Sequence, residues 1–322
     1  MKQSIRRTVF LILCLILAVQ PVNAAQLLIP GGQVIGLQLT DDTVTVVSFD
    51  PRLGQVAREA GLQSGDRIVR IDDQIICSAA DIRSALSRSD GAVQLHVLRD
   101  GKAKKMQISP AITPDGPRLG VYLKEGIAGI GTVTWYDTAG GSFGALGHGV
   151  NNSQGQPVTM KTGSVFSAAV VSVQKGQCGD PGQLMGTLTD KNPIGALRKN
   201  TAQGVFGNLE IPVTGHPLPT ASREEIHPGA AVIRSTVNNS RLQEYSVEIL
   251  KIYPGTACTG RNMLLKITDP ALLEATGGIV QGMSGSPIIQ DGKLVGAVTH
   301  VLVNDPTTGY GIFIENMLDA AA

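Results

Sequence analysis

Hydrophobic and polar positions in the chain form many short segments with the two-residue period of β-strands. Within residues 27–110 the pattern predicts strands at Thr43–Ser48, Arg67–Ile71, Ile75–Ile76, Ala92–Leu98 and Lys104–Ile108. Asp100-Gly101 lies between the last two and is typical of a hairpin turn. Apolar residues follow helical spacing over Ala79–Ser87, and Ser78 is suited to cap that helix. The mixture predicts a small α+β domain.

The turn-rich stretch Thr113–Pro117 predicts a linker to a second domain over residues 115–322. The strands predicted there are Leu119–Leu123, Gly131–Tyr136, Val165–Val173, Ala230–Ser235, Tyr245–Tyr253, Met263–Thr268, Ile279–Val280, Pro287–Ile289, Leu294–Leu302 and Gly311–Ile314. Only Pro270–Ala275 and Glu315–Ala320 have a helical pattern. So many short strands predict a β-sandwich or β-barrel, and a mainly β protein as a whole.

Composition supports this fold class and excludes several functions. The 322 residues include 39 glycines, and only 16% are charged, which argues against a helical bundle or coiled coil. The net charge is +1, with no basic cluster beyond the N-terminus, so a nucleic-acid partner is not expected. A high apolar content with so little net charge also argues against disorder.

Residues 1–24 have the layout of a secretory signal. Lys2, Arg6 and Arg7 precede the mostly apolar run 8–19, and the small residue Ala24 offers a cleavage site. The run is shorter than the about 20 apolar residues of a spanning helix, which favours cleavage over an uncleaved membrane anchor. We therefore expect an extracytoplasmic protein, either secreted or membrane-associated.

Four cysteines are present, and Cys14 would leave with the signal. The others, Cys77, Cys178 and Cys258, form no Cys-x-x-Cys or Cys/His cluster. A Cys178–Cys258 disulfide and three free thiols are both compatible with the sequence. No metal site and no cofactor are expected.

The segment Ala60–Ile68 resembles the A-G-L-x-x-G-D-x-I signature of PDZ domains, in the circularly permuted form of bacterial proteases. The resemblance covers residues 27–110 and implies a module that adds a peptide to an open sheet edge. In such domains a loop with glycine between two apolar residues binds the terminal carboxylate of the peptide. Ile35-Gly36-Leu37 stands at the matching position, which makes these residues the peptide-binding candidates. The alternative is that Gly36 merely begins a strand.

Gly282-Met283-Ser284-Gly285-Ser286-Pro287 is the first candidate for chemistry. Glycines around a serine allow a tight turn that exposes the hydroxyl and lets backbone N–H groups stabilise an oxyanion. The motif resembles the G-x-S-G-x-P of chymotrypsin-like proteases, which implies Ser284 as nucleophile and the N–H groups of Gly282 and Ser284 as oxyanion hole. A plain turn between strands is the alternative, and Ser286 is the second candidate nucleophile.

His148 is the candidate base, because it lies in a glycine-rich turn upstream of the serine, as in chymotrypsin. His300, in the strand after the serine, is a second candidate and could instead line the cleft. The third member of a triad is less defined. Asp269 fits an N-cap with proline next to it, a structural role that alone would account for it. Further carboxylates near in sequence are Asp137, Asp180, Asp190 and Asp305.

Five segments together resemble the stage IV sporulation protein B peptidase family: Gly131–Thr134, Gly144–His148, Gly278–Pro287, Gly296–Val301 and Asn304–Pro306. Members have an export or membrane segment, a PDZ domain and then a serine peptidase domain of chymotrypsin-like fold, an order opposite to that of HtrA proteases. The resemblance implies His148 and Ser284 as catalytic residues. It also implies Asp269 as their acid, because Asp269 stands at the matching place before the serine.

The same resemblance implies a function that composition does not show. Family members cut themselves and then the extracytoplasmic part of a membrane regulator of an intramembrane protease, in the space between forespore and mother cell. The expected partners are therefore peptide or protein substrates, including such a regulator, and the N-terminal segment of the chain itself. Two alternatives stay open. One is a non-catalytic PDZ scaffold with a degenerate protease domain, and the other is an esterase with the same mechanism.

Overall fold

The computed structural model describes residues 25–152, 155, 157–237, 241–255 and 260–322, without the side chain of Asp42. The expected signal at residues 1–24 therefore lies outside the described residues. Cys258, one partner of the possible Cys178–Cys258 disulfide, lies outside them as well. Cys77 and Cys178 are free thiols. No helix in the described ranges has the length and apolar character needed to cross a bilayer.

The structure is mainly β, as the sequence predicts. Its strands are β1 Leu27–Pro30, β2 Val34–Phe49, β3 Arg67–Ile71, β4 Gln74–Ile75, β5 Val93–Arg99, β6 Lys102–Ile108, β7 Ala111–Thr113, β8 Gly116–Arg118, β9 Val121–Asp137, β10 Ser142–Ala145, β11 Thr162–Gln174, β12 Gln183–Thr201, β13 Gly204–Leu209, β14 Leu218–Pro219, β15 Gly229–Thr236, β16 Leu242–Ile252, β17 Met263–Ile267, β18 Pro287–Gln290, β19 Lys293–Leu302 and β20 Asp305–Phe313. Its helices are α1 Gln55–Glu59, α2 Ala79–Ser87, α3 Pro270–Thr276 and α4 Ile314–Ala321.

Two six-stranded barrels form the peptidase part. The first closes in the order β2-β9-β10-β13-β12-β11 and back to β2, with every pair antiparallel. The second closes as β15-β16-β17-β20-β19-β18. Each barrel has its own apolar core, and a separate cluster around Trp135, Phe206 and Met317 packs β9 and β13 against α4. This double-barrel arrangement confirms the chymotrypsin-like expectation.

The PDZ domain is inserted into the first barrel. Residues 35–39 of β2 pair with both β9 and β11 inside the barrel. Outside the barrel, residues 44 and 45 pair with β9 and β3, and the end of β2 pairs with β9 alone. β9 likewise contributes residues 121–125 to the PDZ sheet and residues 127–137 to the barrel. Two long strands therefore run through both domains, with a register shift between Leu39 and Val44 where they pass from one to the other.

This topology differs from the division drawn from the sequence. Residues 34–39 belong to the first barrel, although the pattern groups them with the PDZ domain over 27–110. Residues 121–125 belong to the PDZ sheet, although the pattern groups them with 115–322. The expected linker Thr113–Pro117 contains the turn of the β7–β8 hairpin, with Thr113 opposite Gly116. A strand pattern predicts extended backbone but not the partner strand, so it does not show that β2 and β9 are shared by both sheets.

The PDZ signature has a direct physical basis. Gly61 and Gly65 adopt φ of +92° and +91°, which favours glycine at both positions. Asp66 is fully buried and accepts two hydrogen bonds of 2.7 Å from the Arg99 guanidinium. Burial alone would raise the pKa of Asp66, but bonds from Arg99 and the Gln63 N–H outweigh it and lower that pKa. The pair fastens the turn after α1 to the end of β5.

The inserted topology determines which fragments of the chain can fold. Residues 115–322 alone lack the strand 34–39, which buries Ile35, Leu37 and Leu39 in the first barrel. Each such side chain contributes about 1.5–3 kcal/mol, so their loss is comparable to a whole domain stability of about 5–15 kcal/mol. We expect this fragment not to fold. The chain with residues 41–125 replaced by Asn-Gly keeps all six strands and should show a cooperative urea transition by circular dichroism. Equal cooperativity of the two proteins would contradict the inserted topology.

Candidate active site

The loop before β18 consists of two overlapping turns. The N–H of Met283 bonds to the carbonyl of Val280 at 3.1 Å, and the N–H of Ser286 bonds to that of Met283 at 2.9 Å. Gly282 and Gly285 occupy the third position of these turns, and each has φ of +97°. A type II turn needs this conformation at its third position, which explains the spacing of the two glycines.

Buried threonines of β9 hold the carbonyl groups of this loop. The Thr132 hydroxyl donates to the Gly282 carbonyl at 2.7 Å, and the Thr134 hydroxyl donates to the Gly285 carbonyl at 2.8 Å. The Thr132 N–H also donates to the Ser284 carbonyl at 3.1 Å. Both threonine side chains are fully buried. The first barrel thus fixes the loop that the second barrel carries.

The N–H groups of the same loop remain available. Within the described residues, neither the Gly282 N–H nor the Ser284 N–H has a hydrogen-bond acceptor, although both carbonyl groups are engaged. Both residues line a cavity. Two unpaired N–H groups beside a partly exposed serine are what an oxyanion hole requires. These are the groups that the sequence motif indicates.

A left-handed turn carries His148 out of the first barrel. Leu146 and Gly147 follow β10 with φ of +70° and +68°. Left-handed backbone is costly for a leucine and marks a segment held by its surroundings. The backbone of Leu146 lies against Gly285, where an added Cβ would come within 2.5 Å of the Leu146 nitrogen. The turn that carries the histidine and the turn that carries Ser284 are therefore in direct backbone contact.

The His148 ring is oriented by a backbone carbonyl. Its Nδ1 lies 2.9 Å from the Gly149 carbonyl oxygen, which can only accept, so Nδ1 carries the proton. Burial lowers the pKa of His148, and the bond to Gly149 opposes this only in part. The imidazole is therefore neutral at pH 7, and its Nε2 is left as an acceptor, the form that a general base needs.

Ser284, His148 and His300 line one cavity of about 440 Å³. The rest of its wall is mostly apolar, formed by Leu37, Leu39, Ile127, Gly129, Ile130, Leu146, Gly149, Val150, Asn151, Gln281 and Gly282. The first barrel thus supplies most of the wall, and the turn before β18 supplies the nucleophile. The structure brings together the serine and both histidine candidates identified in the sequence.

His300 stands beside His148, with ring centroids 5.5 Å apart. Burial, the neighbouring His148 and Arg261 lower the pKa of His300 to about 4. Its buried Nδ1 has no hydrogen-bond partner in the described residues. Two neutral imidazoles therefore share the cavity. No group of three His, Cys, Asp or Glu side chains in the described part of the chain is arranged to hold a metal ion.

The Ser284 hydroxyl donates to the Thr299 carbonyl at 2.9 Å and makes no hydrogen bond to His148. The hydroxyl and the imidazole are thus each bonded to a backbone carbonyl in this state. Ser286 is fully buried and its hydroxyl bonds to Ser235 at 3.1 Å. Ser286 is therefore inaccessible to a substrate, whereas Ser284 is in the cavity wall.

Asp269 does not contact His148. One carboxylate oxygen accepts from the Leu272 N–H at 3.1 Å, as an N-cap of α3 does, and the other accepts from the Ser246 N–H at 3.2 Å. The assignment of Asp269 as the triad acid is therefore not supported by this geometry, because the helix cap uses its oxygens. The other carboxylates considered accept from backbone N–H groups in their own turns: Asp137, Asp180, Asp190 and Asp305.

Ile35, Gly36 and Leu37 do not form a peptide-binding loop. They lie in β2 and pair with β9 on one side and β11 on the other, and Ile35 and Leu37 are buried. A Cβ on Gly36 would lie 2.3 Å from the Leu188 side chain, so the glycine makes room for β12. This strand pairing contradicts the prediction that Ile35, Gly36 and Leu37 bind a peptide carboxylate, because both edges of their backbone are already hydrogen-bonded to neighbouring strands.

A second segment with the same apolar-Gly-apolar pattern, Leu119-Gly120-Val121, lies at the PDZ groove instead. The groove has a volume of about 280 Å³ between α2 and the start of β9, with Ile82 and Leu86 on the helix side. Gly120 has φ of +68°, and its N–H has no acceptor in the described residues. Residues 121–125 of β9 pair only with β2. The sequence held this signal, just after the Pro114–Pro117 turn.

Substitutions at Asp269 separate its role as a helix cap from the role of a triad acid. Asparagine caps helices about as well as aspartate, but its NH2 group cannot accept from the Ser246 N–H, so Asp269→Asn should lower the free energy of unfolding by about 1 kcal/mol. Because the carboxylate does not contact His148, the rate of fluorophosphonate labelling should stay within about threefold of wild type, whereas loss of a true triad acid costs about 10⁴-fold. Asp269→Ala is the control for stability, loses both bonds and should cost about 2 kcal/mol. A labelling rate of Asp269→Asn reduced a hundredfold or more would restore Asp269 to the triad.

Two family models match the chain. Residues 116–318 match the family model described as SpoIVB peptidase S55, and residues 33–109 match that of the PDZ domain. A Brucella suis protein described as a candidate zinc metalloprotease is 32% identical over 132 residues, which are 41% of this chain and 32% of that protein. The chain thus spans about a third of that relative.

Among solved structures, the PDZ domain of the SdrC-like protein from Listeria monocytogenes is 25% identical and has a TM-score of 0.23, covering 26% of this chain and 90% of its own. The active form of the Rv3671c protease from Mycobacterium tuberculosis is 14% identical, with a TM-score of 0.34 and coverage of 61% and 75%. The family model spans most of the chain, including both barrels except for β1 and β2. The chain belongs to the SpoIVB peptidase S55 family of PDZ-containing serine proteases.

Proposed function

We propose that this protein is a serine endopeptidase with Ser284 as nucleophile and His148 as general base. The observation that supports this most is the state of the loop before β18. Its carbonyl groups are held by Thr132 and Thr134, while the N–H groups of Gly282 and Ser284 are unpaired at the cavity wall. Two unpaired donors that flank the serine hydroxyl are the arrangement that an oxyanion hole needs and that a plain turn between strands does not require.

The reaction begins with a rotation about the Ser284 side-chain bond. The hydroxyl leaves the Thr299 carbonyl and donates to Nε2 of His148, which takes the proton as oxygen attacks the substrate carbonyl. The oxyanion is stabilised by the N–H groups of Gly282 and Ser284. The Gly149 carbonyl keeps the proton on Nδ1 throughout and so does part of the work of a triad carboxylate.

The apolar wall of the cavity favours substrates with apolar side chains next to the cleaved bond. Leu37, Ile127 and Ile130 contribute this surface without any charged group. A charged substrate residue there would lose its hydration without gaining a partner. We therefore propose apolar specificity for this cavity.

Family membership supports the finer function. Proteins of this family cut themselves and then a membrane regulator of an intramembrane protease during sporulation, and we propose the same role for this chain. Its location would be extracytoplasmic, with residues 1–24 as the export segment. Self-cleavage would fall in the N-terminal segment, ahead of β1.

The PDZ groove would hold the carboxyl end of a peptide. Its terminal carboxylate would bind the Gly120 N–H, and its backbone would add to the unpaired edge of β9 over residues 121–125. Ile82 and Leu86 would contact its last side chain, and Arg83 lies at the groove wall. This arrangement is the reason for proposing peptide rather than ester substrates.

Covalent labelling tests the assignment of Ser284 as the nucleophile. A fluorophosphonate probe should label the wild-type protein at Ser284, and Ser284→Ala should abolish both labelling and self-cleavage. Because the pKa of His148 is lowered, the base stays deprotonated in mild acid and the labelling rate should still be near its maximum at pH 6.5. Mass spectrometry identifies the labelled residue. Ser286→Ala is the matched control and should label normally, since Ser286 is buried. Failure of the folded wild-type protein to react would favour the non-catalytic scaffold.

Peptide binding tests the proposed role of the PDZ groove. A peptide that ends in an apolar residue with a free carboxylate should bind the full chain at least about tenfold more tightly than the same peptide with a C-terminal amide, a difference of about 1.4 kcal/mol. Fluorescence anisotropy measures both affinities. Arg83→Glu should weaken binding of the carboxylate peptide, whereas Arg88→Glu, at the end of the same helix and outside the groove wall, should not. Equal affinity for the acid and the amide would exclude carboxylate recognition.

A further inference from the structure

The segment that follows His148 is fastened to the first barrel by the side chain of Asn200. This residue is the second last of β12 and pairs with Val205 of β13. The hairpin after it is closed by the Thr201 hydroxyl, which donates to the Gly204 carbonyl at 3.1 Å and accepts from the Gln203 N–H at 3.2 Å. Asn200 therefore projects from a well-braced part of the barrel.

The Asn200 amide uses both of its ends. Its oxygen accepts from the Val150 N–H at 2.8 Å, and its nitrogen donates to the carbonyl groups of Val150 at 3.0 Å and Val158 at 2.9 Å. The Val158 N–H also donates to the Val150 carbonyl at 3.0 Å. Only an amide offers an acceptor and two donors in this space, because a carboxylate has no proton to donate at neutral pH.

One peptide group links Asn200 to His148. The Val150 N–H that donates to Asn200 and the Gly149 carbonyl that accepts from His148 Nδ1 belong to the same planar unit. Hydrogen bonds arranged in a chain polarise one another. A bond from the Asn200 oxygen at one end of the peptide thus strengthens the acceptor at its other end.

Gly149 is confined at the same place. A Cβ there would lie 2.6 Å from the carbonyl oxygen of Thr201, the residue after Asn200. The end of β12 thus contacts the peptide backbone through Thr201 and bonds to it through Asn200. The Gly149 carbonyl has little freedom to turn away from the imidazole.

We propose that Asn200 is a positioning residue that orients His148 through the Gly149–Val150 peptide. Asn200 touches neither the substrate nor the reacting atoms in this role. It selects the imidazole tautomer with the proton on Nδ1 and holds the ring toward Ser284. This inference rests on the proposed role of His148 as the base.

The test compares three variants of the full chain. Asn200→Ala removes all three bonds. Asn200→Asp keeps the size but sets a second carboxylate oxygen against the carbonyl oxygens of Val150 and Val158, and this repulsion should displace the segment and break its bond to the Val150 N–H. Asn208→Ala is the matched control, because Asn208 also bonds across neighbouring barrel strands, accepting from Arg198 at 3.1 Å, but does not bond to the His148 segment. Circular dichroism establishes that each variant is folded.

The first measurement is the ¹⁵N spectrum of the His148 ring at pH 8, where the tautomer follows from the two nitrogen shifts. We expect a single Nδ1–H tautomer in wild type and Asn208→Ala, and a mixture in both Asn200 variants. The second is the fluorophosphonate labelling rate, expected to fall at least tenfold in the Asn200 variants, within the about 10²–10⁴-fold that a general base contributes. The KM for a cleaved peptide should change less than twofold.

An unchanged His148 tautomer in Asn200→Ala would overturn the proposal. So would the loss of folding in both Asn200 variants while Asn208→Ala stays folded, because Asn200 would then be structural. If wild-type protein were unreactive toward the probe but its His148 tautomer still depended on Asn200, the proposed peptidase function would fail and the positioning role would stand.

Discussion

The arrangement of the active site depends on the contact between β9 and the serine loop. Two buried hydroxyls and one backbone N–H of β9 donate to three carbonyl groups of that loop, at Gly282, Ser284 and Gly285. Each of these bonds crosses from one barrel to the other. An unpaired carbonyl group at this depth would cost about 1–3 kcal/mol, so the loop geometry and the docking of the barrels stabilise each other. The unpaired N–H groups are a consequence, since the loop cannot turn them inward without losing these bonds.

The position of His148 follows from the same contact between the two barrels. Gly285 lies against the backbone of Leu146. The serine loop of the second barrel therefore fixes where the chain leaves β10 of the first barrel. Leu146 accepts a left-handed conformation there, and Gly147 repeats it. His148 then emerges into the cavity, where a carbonyl and not a carboxylate orients it. Backbone groups therefore supply much of what side chains supply in a triad.

Local chemistry made parts of this structure predictable from the sequence. The helix at Ala79–Ser87 with its Ser78 cap and the Asp100-Gly101 turn depend only on neighbouring residues, and all are present. The placement of Ser284 and His148 at one cavity rests on glycine turns that short motifs encode. Ile35–Leu37 and Leu119–Val121 carry the same apolar-Gly-apolar pattern and differ only in which strands pair with them, so the pattern alone does not separate a loop from a barrel strand. Asn200 has no local signal, since its two partner residues, Val150 and Val158, lie 50 and 42 residues away in sequence.

The inserted PDZ domain also bears on how the first barrel forms. Residues 34–39 and 127–132 must meet across a long stretch of chain, and the entropy cost of closing a loop rises with the logarithm of its length. A PDZ domain that folds first would hold the two ends together through the ladder of Val44–Phe49 with Val121–Glu125. The remaining loop is then only a few residues long, which lowers the closure cost by roughly 2–3 kcal/mol on this scaling. The peptide-recognition module would thus act as the internal clamp on which the protease barrel nucleates during synthesis.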